Sequence, residues 1–356
     1  METPVLDIAG LADASAPQLR ELVARIGHTP LQPLTVQIDG ELRTIYLKLE
    51  SANPTGSVKD RTAAALIQDL EQRQLITAQS TIIESTSGNL GVALALICRS
   101  RGYPFIAVVD PRTTPENMHK MRALGARVDL VTQADRNGGY LLSRLEYIQT
   151  LLRRFPHYVW SDQYANQANP RIHALTTGPE IYRQMQGKVE LLCAAVSTGG
   201  TLAGIGAFFR RVSPATRIVG VDACGSVVFG TPSAPRKLTG IGSSRPSDFL
   251  TGELYDEAMQ ASDEEAFAFC HELWRATGLK LGGSSGAVLA ACVRYLHAHR
   301  EVRSAVCVCP DHGDNYASTL FSEQWLQQQA IQLLPSHLGA LQTLFPITVP
   351  PIPACD

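Results

Sequence analysis

The sequence predicts an α/β protein with two open, twisted, mainly parallel sheets and a cleft between them. Strand-like and helix-like segments alternate from Lys59 to Cys309, which is typical of parallel sheets covered by helices on both faces. A stretch rich in Tyr, Asn and Gln between Pro156 and Pro170 interrupts the alternation and divides it into two sets. A length of 356 residues is sufficient for two domains with large cores.

The position of this break gives a domain assignment. We assign residues 45–158 to a smaller, mobile domain and residues 15–44 and 159–332 to a larger one. Residues 333–356 are apolar and rich in proline, which excludes a single helix. We expect this extension to pack over the surface or against a partner subunit. Residues 1–14 are interpreted as a loose leader.

Each element follows from its own pattern. Apolar spacing predicts a first helix at 17–26, and an Asp-Gly turn predicts a hairpin between strands 34–38 and 44–49. Further strands are predicted at 81–84, 105–109, 127–131, 191–196, 217–222 and 305–309. A second helix is predicted to begin near Lys59. Further helices are predicted at 89–99, 115–124, 140–154, 177–186, 202–211, 263–277 and 285–299.

Composition argues against several functional classes. Hydrophobic residues make up 45% and charged residues 18%, typical of a soluble globular protein. The net charge of −2 gives no electrostatic basis for binding nucleic acid or an anionic membrane. No apolar stretch is long enough to span a bilayer, and the sequence does not open on a basic region followed by an apolar run. We expect neither a nucleic-acid nor a membrane partner.

Eight cysteines show no disulfide framework, so we predict reduced thiols and a cytoplasmic setting. Cys307 and Cys309 form the only close pair, within a strand-like segment. We interpret them as buried strand residues and predict no metal site, because no second ligand pair lies nearby in the sequence.

The segment around Lys59 is the first functional signal. An Asn-Pro-Thr-Gly turn leads into a helix, with Ser57 as the predicted N-cap and Lys59 in the first turn. The positive end of a helix favours the neutral amine over the ammonium, and Schiff-base chemistry requires the neutral amine. Taken alone, the pattern is more typical of a solvated surface lysine, and two further turns reverse that preference.

Two strand-to-helix turns are suited to anions. Residues 85–89, Ser-Thr-Ser-Gly-Asn, offer hydroxyls, a carboxamide and backbone amides to a carboxylate or phosphate. Residues 197–201, Ser-Thr-Gly-Gly-Thr, let the backbone approach a phosphate closely. Each turn alone is also consistent with a tight connection. Together with Lys59 they predict a ligand bearing a phosphate and a carbonyl, beside a carboxylate.

A dinucleotide-binding site is the alternative for the second turn. Asp222 ends the next strand, at about the spacing of a ribose-binding acid. However, Gly-Gly-Thr-Leu-Ala-Gly departs from the G-x-G-x-x-G pattern, and a dehydrogenase leaves Lys59 and the 85–89 turn unexplained. We therefore disfavour it.

Four segments resemble, in order, the cysteine synthase and cystathionine β-synthase family of fold-type II enzymes: residues 53–61, 85–89, 176–180 and 197–204. The resemblance runs from about Gly27 to Phe321. It implies pyridoxal 5′-phosphate as cofactor in the cleft between two α/β domains, a β-replacement reaction and a homodimer. We expect no haem-binding or regulatory extension of the kind found in longer members of the family.

The resemblance also implies residue roles. Lys59 would form the Schiff base and act as the catalytic base, and Asn89 would bond the cofactor's ring hydroxyl. The cofactor phosphate would be held by Ser197, Thr198, Gly199, Gly200 and Thr201. The substrate carboxylate would be held by Thr86, Ser87, Gly88, Asn89 and Gln163.

Finer features resemble one branch of the family, which makes 2,3-diaminopropionate for siderophores and peptide antibiotics. These features are residues 162–166, Ser197, 225–229 and 239–245. By that resemblance, O-phospho-L-serine loses phosphate and the amino group of L-glutamate adds at Cβ. Arg144, Tyr164 and Ser197 fall at substrate-contacting positions, and a guanidinium suits phosphate or carboxylate. Arg144 is equally consistent with a helix-surface arginine, and Gln163 and Tyr164 with ordinary loop residues.

One segment departs from the family. Where a hydroxyl side chain meets the pyridine nitrogen in the family, the matching residue here is His312, with Asp311 beside it and Ser318 as a third candidate. A neutral imidazole would leave the nitrogen unprotonated, whereas a carboxylate would stabilise a pyridinium. The sequence leaves this choice open.

Two other functions stay open. One is a cysteine synthase acting on O-acetyl- or O-phospho-L-serine with sulfide. The other, from a different class, is a non-catalytic binding or regulatory homologue, against which the intact Lys59 and both anion turns argue.

Overall fold

The computed structural model describes residues 14–135 and 139–333. Its strands are β1 Leu31–Ile38, β2 Glu41–Leu49, β3 Thr81–Ser85, β4 Phe105–Val109, β5 Arg127–Leu130, β6 Tyr158–Trp160, β7 Leu191–Ala195, β8 Arg217–Ala223, β9 Glu257–Ala261 and β10 Ser304–Cys309. Its α-helices are α1 Ala16–Ala24, α2 Lys59–Gln72, α3 Asn89–Arg101, α4 Pro115–Ala123, α5 Leu141–Arg154, α6 Ala168–Ile172, α7 Gly178–Gln184, α8 Gly200–Val212, α9 Asp263–Thr277, α10 Gly283–Ala298 and α11 Glu323–Gln328. A π-helical turn spans His173–Thr177, and 3₁₀ turns span Glu50–Ala52 and Gly313–Tyr316.

The strands form two open sheets. One has six strands in the order β1-β2-β10-β7-β8-β9, and the other has four in the order β5-β4-β3-β6. Only the β1–β2 hairpin is antiparallel among these strand pairs, with Ile38 opposite Glu41 across the predicted turn. Helices alternate with the parallel strands, as βαβ connections require. The predicted α/β class with two open sheets is confirmed.

The elements missed in the sequence are short. Strands β6 and β9 each lie at the edge of a sheet, and β9 reads Glu-Ala-Met-Gln-Ala, with no β-branched or aromatic residue to signal a strand. Helices α6 and α11 have five and six residues. The predicted helix at 177–186 begins instead with a π-helical turn at His173, and α7 ends at Gln184.

Sheet membership departs from the predicted domain boundaries at two points. The boundary after residue 44 falls inside β2, all of which pairs within the six-stranded sheet. The boundary after residue 158 falls inside β6, which pairs with β3 in the four-stranded sheet. The mobility of the smaller unit stays a prediction. The predicted leader and extension lie outside the described residues, apart from residues 14 and 333.

A thiol cluster lies in the core of the six-stranded sheet. Cys307 and Cys309 are buried, as predicted. The sequence shows no second ligand pair near Cys307, but the fold brings other thiols close: Cys193, Cys292 and Cys307 have sulfur atoms within 4.8 Å of one another. The register of β10 sets Cys307 opposite Cys193, and α10 brings Cys292 over them.

None of the helices in the described part of the chain is both long and apolar enough to cross a membrane.

Candidate active site

Lys59 is the first residue of α2 and is held beside the end of β10. Val58 N donates to Pro310 O at 2.8 Å, which ties the turn before the helix to the central strand. Ser57 Oγ accepts from Lys59 N at 3.3 Å. The N-cap position itself is occupied by Val58, so the predicted cap is displaced by one residue.

The surroundings of Lys59 favour its neutral amine. The side chain is half-buried at a helix start, where the macrodipole disfavours a cation. Burial lowers the pKa of Lys59, and the carboxylates of Asp311 and Glu50 oppose this shift. The environment expected from the sequence is therefore present.

The 197–201 loop connects β7 to α8 through two constrained glycines. Gly199 has a φ of 92°, a conformation that residues with side chains rarely adopt. A Cβ on Gly200 would lie 2.2 Å from Asn169 Oδ1. Because both positions require glycine, the backbone amides at the start of α8 can approach an anion closely.

Lys59 and this loop line one cavity. Its wall is formed by Val58, Lys59, Ala195, Ser197, Thr198, Gly199, Gly200, Thr201, Gly240, Val308 and Pro310. The structure thus brings together the lysine and the phosphate-type turn that the sequence singled out.

A buried histidine, missed in the sequence analysis, joins the two. His173 Nε2 lies 3.3 Å from both Thr62 Oγ1 on α2 and Thr201 Oγ1 on α8, and Nδ1 lies 2.9 Å from Thr177 Oγ1. Burial lowers the pKa of His173 well below its ordinary value, so the imidazole is neutral. Its place three residues before the 176–180 segment was the only sequence signal.

The 85–89 loop lies at the carboxyl end of β3. Thr86 is buried and its Oγ1 accepts from Gly91 N at 3.0 Å; Ser87 is exposed and Gly88 is half-buried. Asn89 Nδ2 donates to Asp311 Oδ2 at 2.6 Å, and Asn89 Oδ1 accepts from Asn315 Nδ2 at 2.9 Å. Asn89 therefore ties this loop to the segment after β10 of the other sheet.

Of the three candidates for the pyridine nitrogen, Asp311 is the one bonded to Asn89. Its carboxyl is buried and also accepts from the Tyr316 hydroxyl. Burial raises the pKa of Asp311, and the hydrogen bonds from Tyr316 and Asn89 act in the opposite direction. A buried carboxyl is thus available beside the residue expected to meet the cofactor ring.

His312 and Ser318 have other surroundings. His312 is half-buried, and its Nδ1 accepts from Asp314 N at 3.2 Å. Burial lowers the pKa of His312. Ser318 is exposed, and its backbone N donates to Glu116. The assignment of His312 to the cofactor stays a prediction.

Gln163 and Tyr164 follow β6. Gln163 is buried, and its Nε2 donates to Ser85 O at 2.8 Å, so it lies against the 85–89 loop. The Arg245 guanidinium lies 5.6 Å from the centroid of the Tyr164 ring. Burial raises the pKa of the Tyr164 phenol, and the positive charge of Arg144 opposes the shift.

Arg144 lacks enough partners for its burial. The residue is 7% exposed, so the alternative of a helix-surface arginine is wrong. Nε lies 3.4 Å from Asp110 Oδ2, yet Nε and Nη1 have no hydrogen-bond partner among the described residues. Leaving buried charged donors unsatisfied is costly. The role of Arg144 in binding a substrate anion stays a prediction, and the unmet donors make it a candidate.

Residues 23–311 match the family model described as pyridoxal-phosphate dependent enzyme. The chain belongs to this family. It is a pyridoxal-phosphate dependent enzyme of the β-replacement class with the fold-type II architecture, which confirms the predicted family and cofactor. Lys59 and the glycine-bearing 197–201 loop, which share one cavity, fit a cofactor with an aldehyde and a phosphate.

Named relatives cover nearly the whole chain. The N-(2-amino-2-carboxyethyl)-L-glutamate synthase of Cupriavidus metallidurans is 40% identical over 327 residues, 91% of this chain and 96% of the relative. The enzyme of the same name from Ralstonia nicotianae is 40% identical over 311 residues, 87% and 92% of the two chains. The O-acetylserine dependent cystathionine beta-synthase from Helicobacter pylori has a TM-score of 0.77 at 32% identity, covering 84% and 97%.

Proposed function

We propose that this enzyme makes N-(2-amino-2-carboxyethyl)-L-glutamate by replacing the phosphate of O-phospho-L-serine with the amino group of L-glutamate. The name shared by two relatives at 40% identity supports this reaction. The observation that carries it is the buried Arg144, whose Nε and Nη1 have no hydrogen-bond partner among the described residues, although Nε lies 3.4 Å from Asp110 Oδ2. A guanidinium suits a phosphate bidentately, whereas an uncharged acetyl group would leave these donors poorly satisfied.

The cofactor would be held at three points. Lys59 would bond it covalently, the 197–201 loop would bind its phosphate, and Asn89 would contact its ring hydroxyl. When bound, pyridoxal phosphate withdraws electrons from the substrate's Cα, which makes loss of the Cα proton and of the β-substituent possible. The cavity shared by Lys59 and the loop supports this arrangement.

The protein's own groups would orient the substrate and move its proton. Thr86, Ser87, Gly88, Asn89 and Gln163 would bind the α-carboxylate, and Arg144, Tyr164 and Ser197 the substrate phosphate. Lys59 Nζ would take the Cα proton, and its lowered pKa favours the neutral amine that this step requires. Phosphate would leave with the electrons of the Cβ–O bond. The glutamate nitrogen would then bond Cβ and release a proton, and Lys59 would return one to Cα.

The wider setting is part of the same proposal. The enzyme would be a cytoplasmic homodimer that supplies 2,3-diaminopropionate for a siderophore or a peptide natural product, and its smaller domain would close over the substrate. Eight cysteines without a disulfide framework support a reducing compartment. Sedimentation of the purified holoenzyme as a monomer would contradict the homodimer.

The test is a product assay with purified holoenzyme and O-phospho-L-serine. L-Glutamate and sulfide are supplied in separate reactions, and products are identified by mass spectrometry. We expect a glutamate adduct together with an equal amount of phosphate. A heat-denatured sample controls for the uncatalysed reaction.

Cysteine synthase is the second candidate, and the O-acetylserine dependent structural neighbour is the observation that favours it. Cysteine formed from sulfide with no glutamate adduct would replace the proposed reaction with this one. Repeating the sulfide reaction with O-acetyl-L-serine would then identify the leaving group.

A further inference from the structure

Glu84 lies in β3, next to the start of the 85–89 loop. Its side chain is 0% exposed, and its carboxyl oxygens accept four hydrogen bonds. Oε1 accepts from Ser85 N at 2.9 Å and from Trp160 Nε1 at 3.2 Å. Oε2 accepts from Ser161 Oγ at 2.7 Å and from Gln163 N at 3.2 Å. One carboxyl group thus bonds the beginning of the loop and the segment that carries Gln163.

These hydrogen bonds begin where the backbone pairing of β3 with β6 ends. The last pair in the register is Ile83 with Trp160, and one more backbone bond follows, from Ser161 N to Ile83 O at 3.3 Å. Beyond that point the Glu84 side chain replaces the ladder. It extends the connection between the two segments into the site.

The result is that Gln163 is fixed at both its backbone and its side chain. Its N–H is bonded to Glu84, its carbonyl accepts from Asn169 Nδ2 at 2.8 Å, and its Nε2 donates to Ser85 O at 2.8 Å. Without the Glu84 carboxyl group, the hydrogen bond from Gln163 Nε2 to Ser85 O would be the only one of these bonds that positions Gln163 against the 85–89 loop.

A carboxylate suits this position better than a neutral side chain. An ionised carboxylate only accepts hydrogen bonds, and all four neighbours here are donors. Glutamine would place an NH₂ group against two of them. Burial raises the pKa of Glu84 to about 7, and the bonds from Ser161 and Trp160 oppose this. Burying an acid is costly, and these donors offset part of that cost.

We propose that Glu84 is a positioning residue for the α-carboxylate of the amino-acid substrate, because it holds Gln163 and the 85–89 loop in a single arrangement. This inference rests on the proposed function in one respect, which is that the loop and Gln163 bind that carboxylate.

The test compares Glu84→Gln with Asp222→Asn. Asp222 is a matched control, since it is another fully buried carboxyl at the end of a strand, accepting from Ala223 N at 2.8 Å. Each holoenzyme is titrated with L-serine, which has the α-amino and α-carboxyl groups but a poor leaving group, and the absorbance of the cofactor is recorded. We expect the apparent Kd to rise about 10-fold in Glu84→Gln, as loss of a bond to a charged group implies, and to stay within about 2-fold in Asp222→Asn.

Steady-state kinetics separate positioning from a general loss of structure. KM for O-phospho-L-serine should rise by a similar factor in Glu84→Gln, while kcat and the KM for the nucleophile change by less than about 3-fold. A variant with unchanged Kd and KM but reduced kcat or cofactor content would overturn the proposal and leave Glu84 a structural role.

A second variant covers the case in which Glu84→Gln does not fold. Ser161→Ala keeps the carboxyl group and removes one donor, and it should raise the Kd for L-serine about 3-fold, as loss of one hydrogen bond implies. An unchanged Kd would overturn the proposal. Because L-serine binding involves no nucleophile, an enzyme inactive with glutamate would still report on Glu84.

Discussion

Lys48 and Lys59 show how two lysines of one chain acquire different chemistry. Lys48 Nζ is fully buried and donates to Thr29 O at 2.7 Å, Glu180 Oε2 at 2.8 Å and Gln184 Oε1 at 3.0 Å. Lys59 Nζ makes no hydrogen bond to any residue in the described ranges and lies at a cavity wall. The Lys48 ammonium, which has three acceptors, is structural. The Lys59 amine, which has no hydrogen-bond partner in the described ranges, is available to react with a carbonyl.

The proposed role of Arg144 gives a prediction for the donor substrate. Arg144→Met should lower kcat/KM for O-phospho-L-serine about 100-fold, because charge-assisted bonds to the leaving phosphate are lost. The value for O-acetyl-L-serine should change much less. Initial rates with both donors, at saturating nucleophile, measure the difference.

Arg153→Met on the same helix is the control. Arg153 is exposed, so its substitution should leave kcat/KM unchanged with both donors. Equal losses with the phosphorylated and acetylated donors would contradict the assignment of Arg144 to phosphate.

The sequence identified single candidate residues more readily than the residues that surround them in the fold. Lys59, Asn89 and the 197–201 turn carry local patterns that a sequence displays. The partners that define the site do not, since Asn89 and Asp311 are bonded across 222 residues of chain. The burial of Arg144 likewise depends on how α5 packs, and the sequence could not distinguish it from a surface arginine.

At the scale of elements, α8 packs closely against α6 and the π-helical turn that follows it and carries His173. A Cβ on Gly204 would lie 2.1 Å from Pro170 O and 2.7 Å from His173 Cβ. Because the Pro170 oxygen is a backbone atom of α6, α8 and α6 must move apart if residue 204 has a side chain. The contact thus fixes the first turn of α8, where Thr201 meets His173.

Gly204→Ala should therefore weaken cofactor binding as well as the fold. We expect the Kd for pyridoxal phosphate to rise at least about 10-fold and the free energy of unfolding of the apoenzyme to fall by about 1–3 kcal/mol. Fluorescence titration and urea unfolding measure the two effects.

Gly252→Ala is the matched control, because a Cβ there meets nothing within 4 Å. Unchanged cofactor affinity in Gly204→Ala would show that the spacing of α8 does not control the phosphate loop.

Elements with a strong period were predicted to within a few residues, whereas edge strands and the π turn were not. Periodicity reports burial on one or both faces. Strand β6 has three half-buried residues at a sheet edge, so it carries little periodic signal. The π turn depends on tertiary contacts such as the His173 side chain, and its own sequence has no distinctive spacing.

At the scale of the whole molecule, a buried ion-pair network fixes α2 relative to the six-stranded sheet. Arg61, two residues after Lys59, pairs with Glu50 at 2.8 Å and with Glu180 at 2.7 Å. Glu180 on α7 also pairs with Lys48 on β2 at 2.8 Å. Removing one member leaves the others buried without compensation, which is strongly destabilising.

Because of this network, we expect the stability difference between the wild type and a Glu180→Gln variant to depend on pH. Burial raises the pKa of Glu180, but the bonds and charges of Arg61 and Lys48 outweigh this and hold it at about 2. Because the pKa of Glu180 is lower in the folded than in the unfolded protein, its ionised carboxylate stabilises the fold at pH values above 4.5. This stabilisation is lost as the pH falls towards 2. Glu180→Gln should thus cost about 3 kcal/mol at neutral pH and progressively less below pH 4.5.

Denaturant unfolding of wild type and variant across this pH range tests the sign. Glu253→Gln, an exposed position, is the control and should show a small difference at every pH. If the loss in free energy of unfolding caused by Glu180→Gln stays constant as the pH falls below 4.5, the network does not have this role.

The overall architecture was accessible from sequence because alternation of strands and helices restricts the topologies available. The boundaries between the two domains were not accessible in this way. Strand β2 precedes the four-stranded sheet in sequence but pairs with β10, close to the end of the described chain. The thiol cluster was missed for the same reason: its three members come from different elements.

The strand order has a consequence for folding kinetics. Lys59 is held to the residues after β10, and Asn89 is bonded to Asp311. Loops of more than two hundred residues must therefore close before the lysine, the ring-contacting amide and their partners meet, and such non-local closure is slow. A nascent or partly refolded chain should bind pyridoxal phosphate only once its last parallel strand has been inserted. Cofactor fluorescence would then report the final step of folding, after most secondary structure has formed.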